Sequence, residues 1–314
     1  MRPAGPLPAA EVAPLGKRVK LDEPIEVRFD VAVDRVSVER SLVIDPPAAG
    51  RFEWPDARTL RFVPEGWRAG RAYRVELRGP GLAPAAWQFR TRIPKPLAIV
   101  PGEGKPIVLS FDDGPHKKRQ ADRLLDVLRD HGARVVFFPT GRWARQRRDW
   151  VERAEREGHL VCNHSYSHEN LTEAWVTEKD IRFEIENGAG HGKCAWFRPP
   201  LMAFDGRVTR IAKELGYALY FWDVDSRDWE DTPGLDVYNL VLARARPGAV
   251  VLLHMHAEGT HKALPHLLKR LAAAGYRVEH QDTEPPPVPP VGKGGTQSHL
   301  AVEAPAFSGS PTAL

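Results

Sequence analysis

Short apolar runs alternate with amphipathic stretches in the second part of the chain, and this alternation limits the fold more than any other feature. The apolar runs are predicted to be strands, at residues 107–111, 133–138, 159–163, 194–198, 218–223, 249–253 and 276–279. Two of the intervening stretches, 121–129 and 151–157, have helical patterns, and Gly132 and Gly158 follow them as helix C-caps do. Strands that alternate with helices usually pair in parallel, so the chain is predicted to be α/β.

Two adjacent carboxylates follow the first of these strands. Asp112 and Asp113 come after the apolar run 107–109, and Gly114-Pro115 then marks a turn. A surface turn is the simplest interpretation of an isolated Asp-Asp-Gly-Pro segment. Parallel α/β folds, however, place their chemistry at the ends of strands, so the two carboxylates are also candidates for a functional site.

Two histidines follow another apolar run, 160–162. His164 and His168 are four residues apart, so on a helical turn their imidazoles could converge on one ion. A His-x-x-x-His pair alone is weak evidence, because paired structural histidines are common. With Asp113 as a third ligand, the set predicts a metal site that keeps an open position for water.

Three further motifs occur near the ends of later strands, in the order Phe197–Pro200, Asp223–Trp229 and Leu252–His254. Together the five motifs resemble those of the polysaccharide deacetylases of the NodB-homology class, carbohydrate esterase family 4. The resemblance covers roughly residues 106 to 282. It implies a distorted (β/α) barrel of about seven parallel strands, with the polar groups gathered at one rim.

The resemblance also implies a metal-dependent mechanism. Asp113, His164 and His168 are implied to hold one divalent ion, most simply Zn²⁺, with Co²⁺ or Ni²⁺ as substitutes. Asp112 is implied to be the base that deprotonates water, and His254 the acid that protonates the leaving group.

Four other positions receive supporting roles from the resemblance. Arg198 is implied to pair with the base and lower its pKa, and Asp228 to orient the acid. Trp229 is implied to form a wall of the pocket for the acetyl methyl group. Leu201 stands where the family usually has Tyr, and its backbone N–H is implied to contribute to the oxyanion hole. A structural ion pair for Arg198 and a core position for Trp229 are the alternatives.

The first part of the chain has a different pattern. Short alternating runs such as Ile25–Phe29, Val36–Val38 and Tyr73–Leu77, with no convincing helix, predict a small all-β sandwich that resembles bacterial Ig-like domains. The predicted division is a flexible N-terminus 1–15, an Ig-like domain 16–93, a linker 94–106, a catalytic domain 107–282 and a disordered Pro/Gly/Ser-rich tail 283–314.

Composition adds limits on partners. The net charge is +4, and part of the excess lies in the basic segment Arg142–Arg148. We interpret this segment as a solvated helix face, with attraction to an anionic cell wall as the alternative; no aromatic-basic motif accompanies it, so nucleic acid is not an expected partner. Cys162 and Cys194, the only cysteines, are interpreted as small buried residues, with a disulfide as the alternative if their strands are adjacent.

The sequence therefore predicts a monomeric hydrolase that removes acetyl groups from a cell-envelope or chitin-like polysaccharide, with N-acetyl groups as the first interpretation and O-acetyl groups as the alternative. Two rival hypotheses are an amidohydrolase of small C–N substrates and a non-catalytic envelope-binding module. No apolar run is long enough to span a membrane. No signal peptide is visible in this sequence, yet we expect an extracellular or envelope location with the leader trimmed, and a cytoplasmic location stays open.

Overall fold

The computed structural model describes residues 9–93, 100–115, 117–190 and 194–280. The predicted tail and residues 94–99 of the predicted linker lie outside the described residues. The strands are β1 (Ala9–Ala13), β2 (Gly16–Val19), β3 (Ile25–Phe29), β4 (Leu42–Asp45), β5 (Gly50–Glu53), β6 (Thr59–Pro64), β7 (Ala72–Leu77), β8 (Ala85–Thr91), β9 (Pro106–Asp112), β10 (Val136–Phe138), β11 (Leu160–Val161), β12 (Trp196–Phe197), β13 (Ala218–Leu219), β14 (Val224–Asp225), β15 (Val250–His254) and β16 (Arg277–Val278).

The helices are α1 (Arg35–Ser41), α2 (Lys118–Asp130), α3 (Gly141–Gln146), α4 (Arg148–Arg156), α5 (Glu178–Glu186), α6 (Gly206–Glu214), α7 (Gly234–Arg244) and α8 (Glu258–Ala273). Two short 3₁₀ turns occupy Pro200–Met202 and Asp228–Glu230. None of the helices in the described part of the chain combines the length and the apolar character needed to cross a bilayer.

The chain divides into two compact units. The first contains the described residues of Met1–Pro101 together with Ser226–Arg246 and Ala257–Ala274, and the second contains those of Gly102–Asp225, Pro247–His256 and Gly275–Leu314. This grouping differs from the division drawn from the sequence, which assigns the turn 228–230 and helices α7 and α8 to the catalytic domain. The boundaries drawn from the sequence stay a prediction.

The N-terminal strands of the first unit form two four-stranded sheets. One has the order β1-β3-β6-β5 and the other β2-β8-β7-β4. Burial alternates along β7 and β8, and inward side chains of both sheets, such as Val27, Leu60, Val75 and Phe89, pack into one core. This is a two-sheet β architecture, and its assignment to the Ig-like class stays a prediction.

Two expectations for this region need correction. Val36 and Val38 lie in helix α1, where the Asp34 side chain accepts a hydrogen bond from the Ser37 N–H at 2.8 Å. An alternation of three residues is too short to distinguish a strand from a helix turn, and the Asp N-cap favours the helix. In addition, Ala9–Ala13, which lies within the segment 1–15 that was predicted to be flexible, forms a strand that pairs with β3.

Ion pairs within the first unit explain why later segments group with the N-terminal strands. Arg18 in β2 pairs with the buried Asp236 of α7, and Arg90 in β8 pairs with Glu230 of the 3₁₀ turn. The side chains of Arg90 and Glu230 are only 16% and 9% exposed, so this contact is largely desolvated. The Asn239 amide also donates to the Ile93 carbonyl at 3.0 Å.

The second unit is built on a parallel sheet, which confirms the predicted α/β class. Its order is β11-β10-β9-β15-β14, with β16 also pairing with β9, while β12 and β13 form a separate parallel pair. The predicted closed barrel of about seven strands is not confirmed, because the hydrogen bonds of the described residues give two sheets. A bridge between Asn163 and Phe197 links the residues after β11 to β12.

β9 lies at the centre of this sheet and fixes the position of its last residue. Asp112 is in register with Phe138 of β10 on one side and with His254 of β15 on the other. β9 is almost entirely apolar before Ser110 and fully buried from Ile107 onward. Since its neighbours run parallel, the carboxyl ends of β9, β10 and β15 meet at one edge, and residues that follow these strands are brought together there.

Candidate active site

The adjacent carboxylates at the end of β9 point in different directions. Asp112 still belongs to the strand, whereas Asp113 has a φ of 68°, in the left-handed region. The Asp113 N–H donates to the Phe138 carbonyl at 3.0 Å, which holds the backbone in this conformation. Such a conformation is costly for a residue other than glycine and is concentrated at functional sites.

The two histidines lie on a loop after β11, so the expectation that they share a helical turn is wrong. Ser165 and His168 both have left-handed backbone conformations, with φ of 59° and 69°. The buried Glu184 of α5 holds this loop, because its carboxylate accepts hydrogen bonds from the backbone N–H groups of Tyr166 and Ser167 at 3.0 and 2.8 Å. The imidazole convergence thus comes from a strained loop that is fixed by tertiary hydrogen bonds.

This loop brings His164 and His168 to Asp113. Oδ1 of Asp113 is 3.6 Å from Nε2 of His164 and 3.3 Å from Nε2 of His168. One ligand atom from each of the three residues lies within 4.8 Å of the others. Within the described residues, Oδ1 of Asp113 is buried and has no hydrogen-bond partner, which is the environment expected of a metal ligand.

The protonation of His164 suits a ligand. Its Nδ1 lies 2.6 Å from the carbonyl oxygen of Arg198, so Nδ1 carries the proton and Nε2 keeps its lone pair. Burial lowers the pKa of His164 to about 3, so the ring is neutral at pH 7. A carboxylate and two imidazoles are a donor set that suits a divalent cation of the zinc type.

Asp112 lies in a more enclosed environment. It is 4% exposed, and Arg198, with no exposed surface, donates from Nη1 to its Oδ1 and from Nη2 to the Ser110 hydroxyl at 2.9 Å. The predicted pairing is therefore present, and Arg198 acts to lower the pKa of Asp112 as expected, but burial outweighs its effect. Burial raises the pKa of Asp112, and the charges of Arg198 and His254 only partly oppose this.

Comparison with known proteins agrees with this geometry. A family model described as polysaccharide deacetylase matches residues 100–220. The chain is 31% identical over 153 residues to a chitooligosaccharide deacetylase of Azorhizobium caulinodans, covering 47% of this chain and 72% of that protein. It is 30% identical over 186 residues to the peptidoglycan-N-acetylmuramic acid deacetylase PdaA of Bacillus subtilis, covering 57% and 70%.

The chain belongs to the polysaccharide deacetylase family. Its fold also resembles that of a family 4 carbohydrate esterase from Streptomyces lividans, solved in complex with acetate, with a TM-score of 0.51 and 29% identity over 55% of this chain and 91% of the esterase. The resemblance predicted from the motifs is thereby confirmed. As a polysaccharide deacetylase, the protein is a hydrolase that acts on carbon–nitrogen bonds other than peptide bonds.

The other predicted residues of the deacetylase site have these positions. His254 ends β15 in register with Asp112, so both side chains point to the same face of the sheet. Leu201 lies in the 3₁₀ turn 200–202 with a φ of 56°, and its side chain is 68% exposed. Asp228 and Trp229 belong to the first unit, where Asp228 is buried and accepts a hydrogen bond from the Thr260 hydroxyl, and Trp229 is 42% exposed.

Two residues that contact the candidate site were not identified from the sequence. Glu184 fixes the histidine loop as described above, and no pattern in the sequence connects it with that loop. His256 is not among the residues predicted for the site, yet its Nδ1 lies 3.4 Å from Oδ2 of Asp113, the other oxygen of that carboxylate. Its position two residues after His254 is the sequence feature that could have indicated its closeness to the site.

A disulfide bond joins the two cysteines, so their interpretation as separate buried residues is wrong. The Cα atoms of Cys162 and Cys194 are 5.2 Å apart, within the usual range for a disulfide. The bridge between Asn163 and Phe197 makes their segments adjacent, which is the condition set for this alternative. The bond therefore links the start of the histidine loop to the segment that leads to Arg198.

Proposed function

We propose that this deacetylase hydrolyses N-acetyl groups of a cell-envelope or chitin-like polysaccharide, as a monomer located outside the cytoplasm. The observation that carries the proposal is the buried Oδ1 of Asp113, which has no hydrogen-bond partner among the described residues and lies near Nε2 of both His164 and His168. The named activities of two relatives, on chitooligosaccharides and on peptidoglycan, support the substrate class.

Asp113, His164 and His168 would hold one divalent cation, Zn²⁺ in preference to Co²⁺ or Ni²⁺. A cation of this kind lowers the pKa of a bound water to near 7, which supplies hydroxide at neutral pH. The contribution of the protein is to keep the three donors converging and to leave Nε2 of His164 without a proton. The hydrogen bond from Nδ1 of His164 to the Arg198 carbonyl and the Glu184 bonds to the loop perform this task.

Asp112 would accept the proton of the attacking water. Its carboxylate is held by Arg198 on one oxygen, which leaves the other oxygen, Oδ2, 3.7 Å from Nε2 of His164 and so directed toward the proposed metal site. Because Arg198 is itself packed on the Phe138 ring, with 4.2 Å between Cζ and the ring centroid, the base has little freedom to reorient.

His254, on the strand next to that of the base Asp112, would donate a proton to the departing amine. Two proton-transfer groups in register on adjacent parallel strands provide an acid and a base at one edge of the sheet. The roles of Asp228 and Trp229 stay predictions from the family resemblance. The backbone N–H of Leu201 would stabilise the oxyanion, a contribution that survives the absence of the usual Tyr side chain.

An acetate-release assay tests the proposal. The full chain, with and without added zinc, is incubated with peptidoglycan fragments, chitin oligomers, acetylxylan and small acetamides. We expect the wild type to release acetate from the N-acetylated glycans when zinc is present. The variant Asp113→Ala should release none, and the control Asp130→Ala, which changes an exposed residue, should stay active. Release from small amides alone would favour the amidohydrolase hypothesis, and no release from any substrate would favour the non-catalytic module.

A further inference from the structure

A groove of about 550 Å³ opens beside the metal-binding residues, within the second unit. Asp113, His168 and His256 line one part of it, and Arg142 and Trp143 of helix α3 line another. A sugar whose acetyl group reaches the metal site would place its own substituents, or those of its neighbour, in this groove. The α3 side chains that line the groove therefore influence which sugar substituents the enzyme accepts.

The backbone of Arg142 is fixed relative to the proposed metal ligands. Its N–H donates to the Tyr166 carbonyl at 2.9 Å, and the Gly141 N–H donates to the Ser165 carbonyl at 2.8 Å. Both carbonyls belong to the loop between His164 and His168. The first turn of α3 is thus hydrogen-bonded to the histidine loop, so a group bound at Arg142 would have a defined distance from the acetyl group.

The guanidinium of Arg142 keeps its donors available. It lies 5.5 Å from the Tyr166 ring centroid, and no carboxylate of the described residues is within 4.0 Å of it. Nearby arginines differ in this respect, because Arg145 donates to the Asn187 side chain and Arg147 lies within 4.0 Å of two carboxylates. Arg142 is exposed and lines the groove, so its donors are accessible to solvent.

The charge of the groove has one sign once a cation is bound. Asp113 is the only acidic residue in its lining within the described part of the chain, and the metal would neutralise it. Arg142 then remains as an uncompensated positive charge. A guanidinium binds a carboxylate through two parallel hydrogen bonds between opposite charges, whereas the hydroxyl groups of a neutral sugar carry no charge.

We propose that this groove binds a carboxylate on the acetylated glycan, and that Arg142 selects for it. The inference rests on the proposed deacetylase function and narrows its substrate class to acidic glycans. The carboxylate could belong to an ether-linked acid on the acetylated sugar or to a neighbouring uronic acid, since both present the same group to Arg142. Neutral acetylated polymers are then poorer substrates.

Matched substrates test this selection. The value of kcat/KM is measured for two acetylated oligosaccharides, one with an ether-linked acid and one with a uronic acid, and for the methyl ester of each. We expect the wild type to prefer at least one acid over its ester by about 10- to 100-fold, mainly through KM, as a charge-assisted hydrogen bond permits. The arm that gives the larger ratio identifies the source of the carboxylate.

Variants assign the preference to Arg142. Arg142→Gln should bring the ratio of kcat/KM for the acid to kcat/KM for the ester close to one. Arg142→Lys should give an intermediate ratio, since lysine keeps the positive charge but lacks the two parallel donors of the guanidinium. Arg148→Gln, an exposed arginine on α4 outside the groove lining, is the control and should keep the wild-type ratio. Equal rates on acid and ester in the wild type, or an unchanged ratio in Arg142→Gln, would overturn the inference.

Calorimetric binding separates this inference from the deacetylase function. The deacetylated acidic oligosaccharide should bind the zinc-loaded wild type at least about tenfold more tightly than Arg142→Gln. Tighter binding to the wild type without acetate release in any assay would leave the carboxylate site standing and refute the catalytic proposal. Acetate release with equal binding to both proteins would refute the carboxylate site alone.

Discussion

Arg198 and Asp112 form an ion pair from which water is excluded, with side chains 0% and 5% exposed. Arg198 also donates to the Ser110 hydroxyl and stacks on Phe138. The pair joins the segment after β12 to the centre of the main sheet, so it connects the stability of the fold with the orientation of the proposed base.

Replacing Arg198 by Met tests the structural part of this role. The substitution leaves a buried carboxylate without its counter-charge, so we expect the free energy of unfolding to fall by about 3–5 kcal/mol. Urea denaturation measures it. The control Arg134→Met removes a surface pair with Glu279 and should cost less than about 1 kcal/mol. Adding Asp112→Asn to Arg198→Met should recover much of the loss; equal losses in Arg198→Met and Arg134→Met would contradict this account.

Stability should also depend on pH through His159. Burial lowers the pKa of His159 to about 4, and its Nδ1 accepts a hydrogen bond from the Val135 N–H at 3.1 Å. Above pH 6.5 the imidazole is neutral in both the folded and unfolded states. Between pH 6.5 and about 4 the unfolded chain binds a proton that the folded chain does not, so the free energy of unfolding decreases as the pH falls.

The variant His159→Asn offers an acceptor to Val135 but does not titrate in this range. Relative to this variant, the wild type should lose up to about 1.4 kcal/mol per pH unit between pH 6.5 and about 4. Urea unfolding at pH 7, 5.5 and 4.5 measures the two slopes. Identical slopes would exclude His159 as the source of the pH dependence.

The disulfide should stabilise the second unit. Cys162 and Cys194 are 32 residues apart, and cross-linking a loop of this length lowers the entropy of the unfolded chain by the equivalent of about 3–4 kcal/mol. We expect the double variant Cys162→Ser/Cys194→Ser to lose about this amount, and reductant to destabilise the wild type but not the variant. Two titratable thiols in the denatured, unreduced wild type would show that the bond does not form.

His254→Ala should separate proton transfer from metal binding. If His254 is the acid, turnover falls by about 10²–10⁴ while the zinc content stays near one per chain. His266→Ala, an exposed histidine on α8, serves as the control and should change neither quantity. Loss of zinc from the His254 variant would make this residue a ligand instead.

The sequence predicted the parts of the fold that depend on periodicity and order. β9 and β15 formed within one residue of the predicted ends, because buried parallel strands leave continuous apolar runs in the sequence. The convergence of Asp113, His164 and His168 was expected from the order of the motifs. The two histidines were expected on a helical turn, whereas they lie on a loop. The left-handed conformations of Asp113, Ser165 and His168 were not predicted, since none of these residues is the glycine that usually marks such a position.

Tertiary contacts account for the rest of the differences. Glu184 is 18 residues from Tyr166, and only the packed structure shows that its carboxylate closes the histidine loop. The net increase in the pKa of Asp112 depends on the depth of burial, which the presence of Arg198 in a motif does not reveal. The ion pairs of Arg18 and Arg90 with residues more than 100 positions later also depend on packing alone.

The most direct test of the proposed chemistry compares Asp112→Asn with Asp113→Ala. The two aspartates are adjacent, yet one is assigned to the base and the other to the metal. Zinc per chain and acetate release are measured on the same preparations. We predict that Asp112→Asn keeps about one zinc per chain and loses at least about 10² in turnover, whereas Asp113→Ala loses both zinc and activity. An equal loss of zinc in the two variants, or substantial turnover in Asp112→Asn, would contradict the assignment.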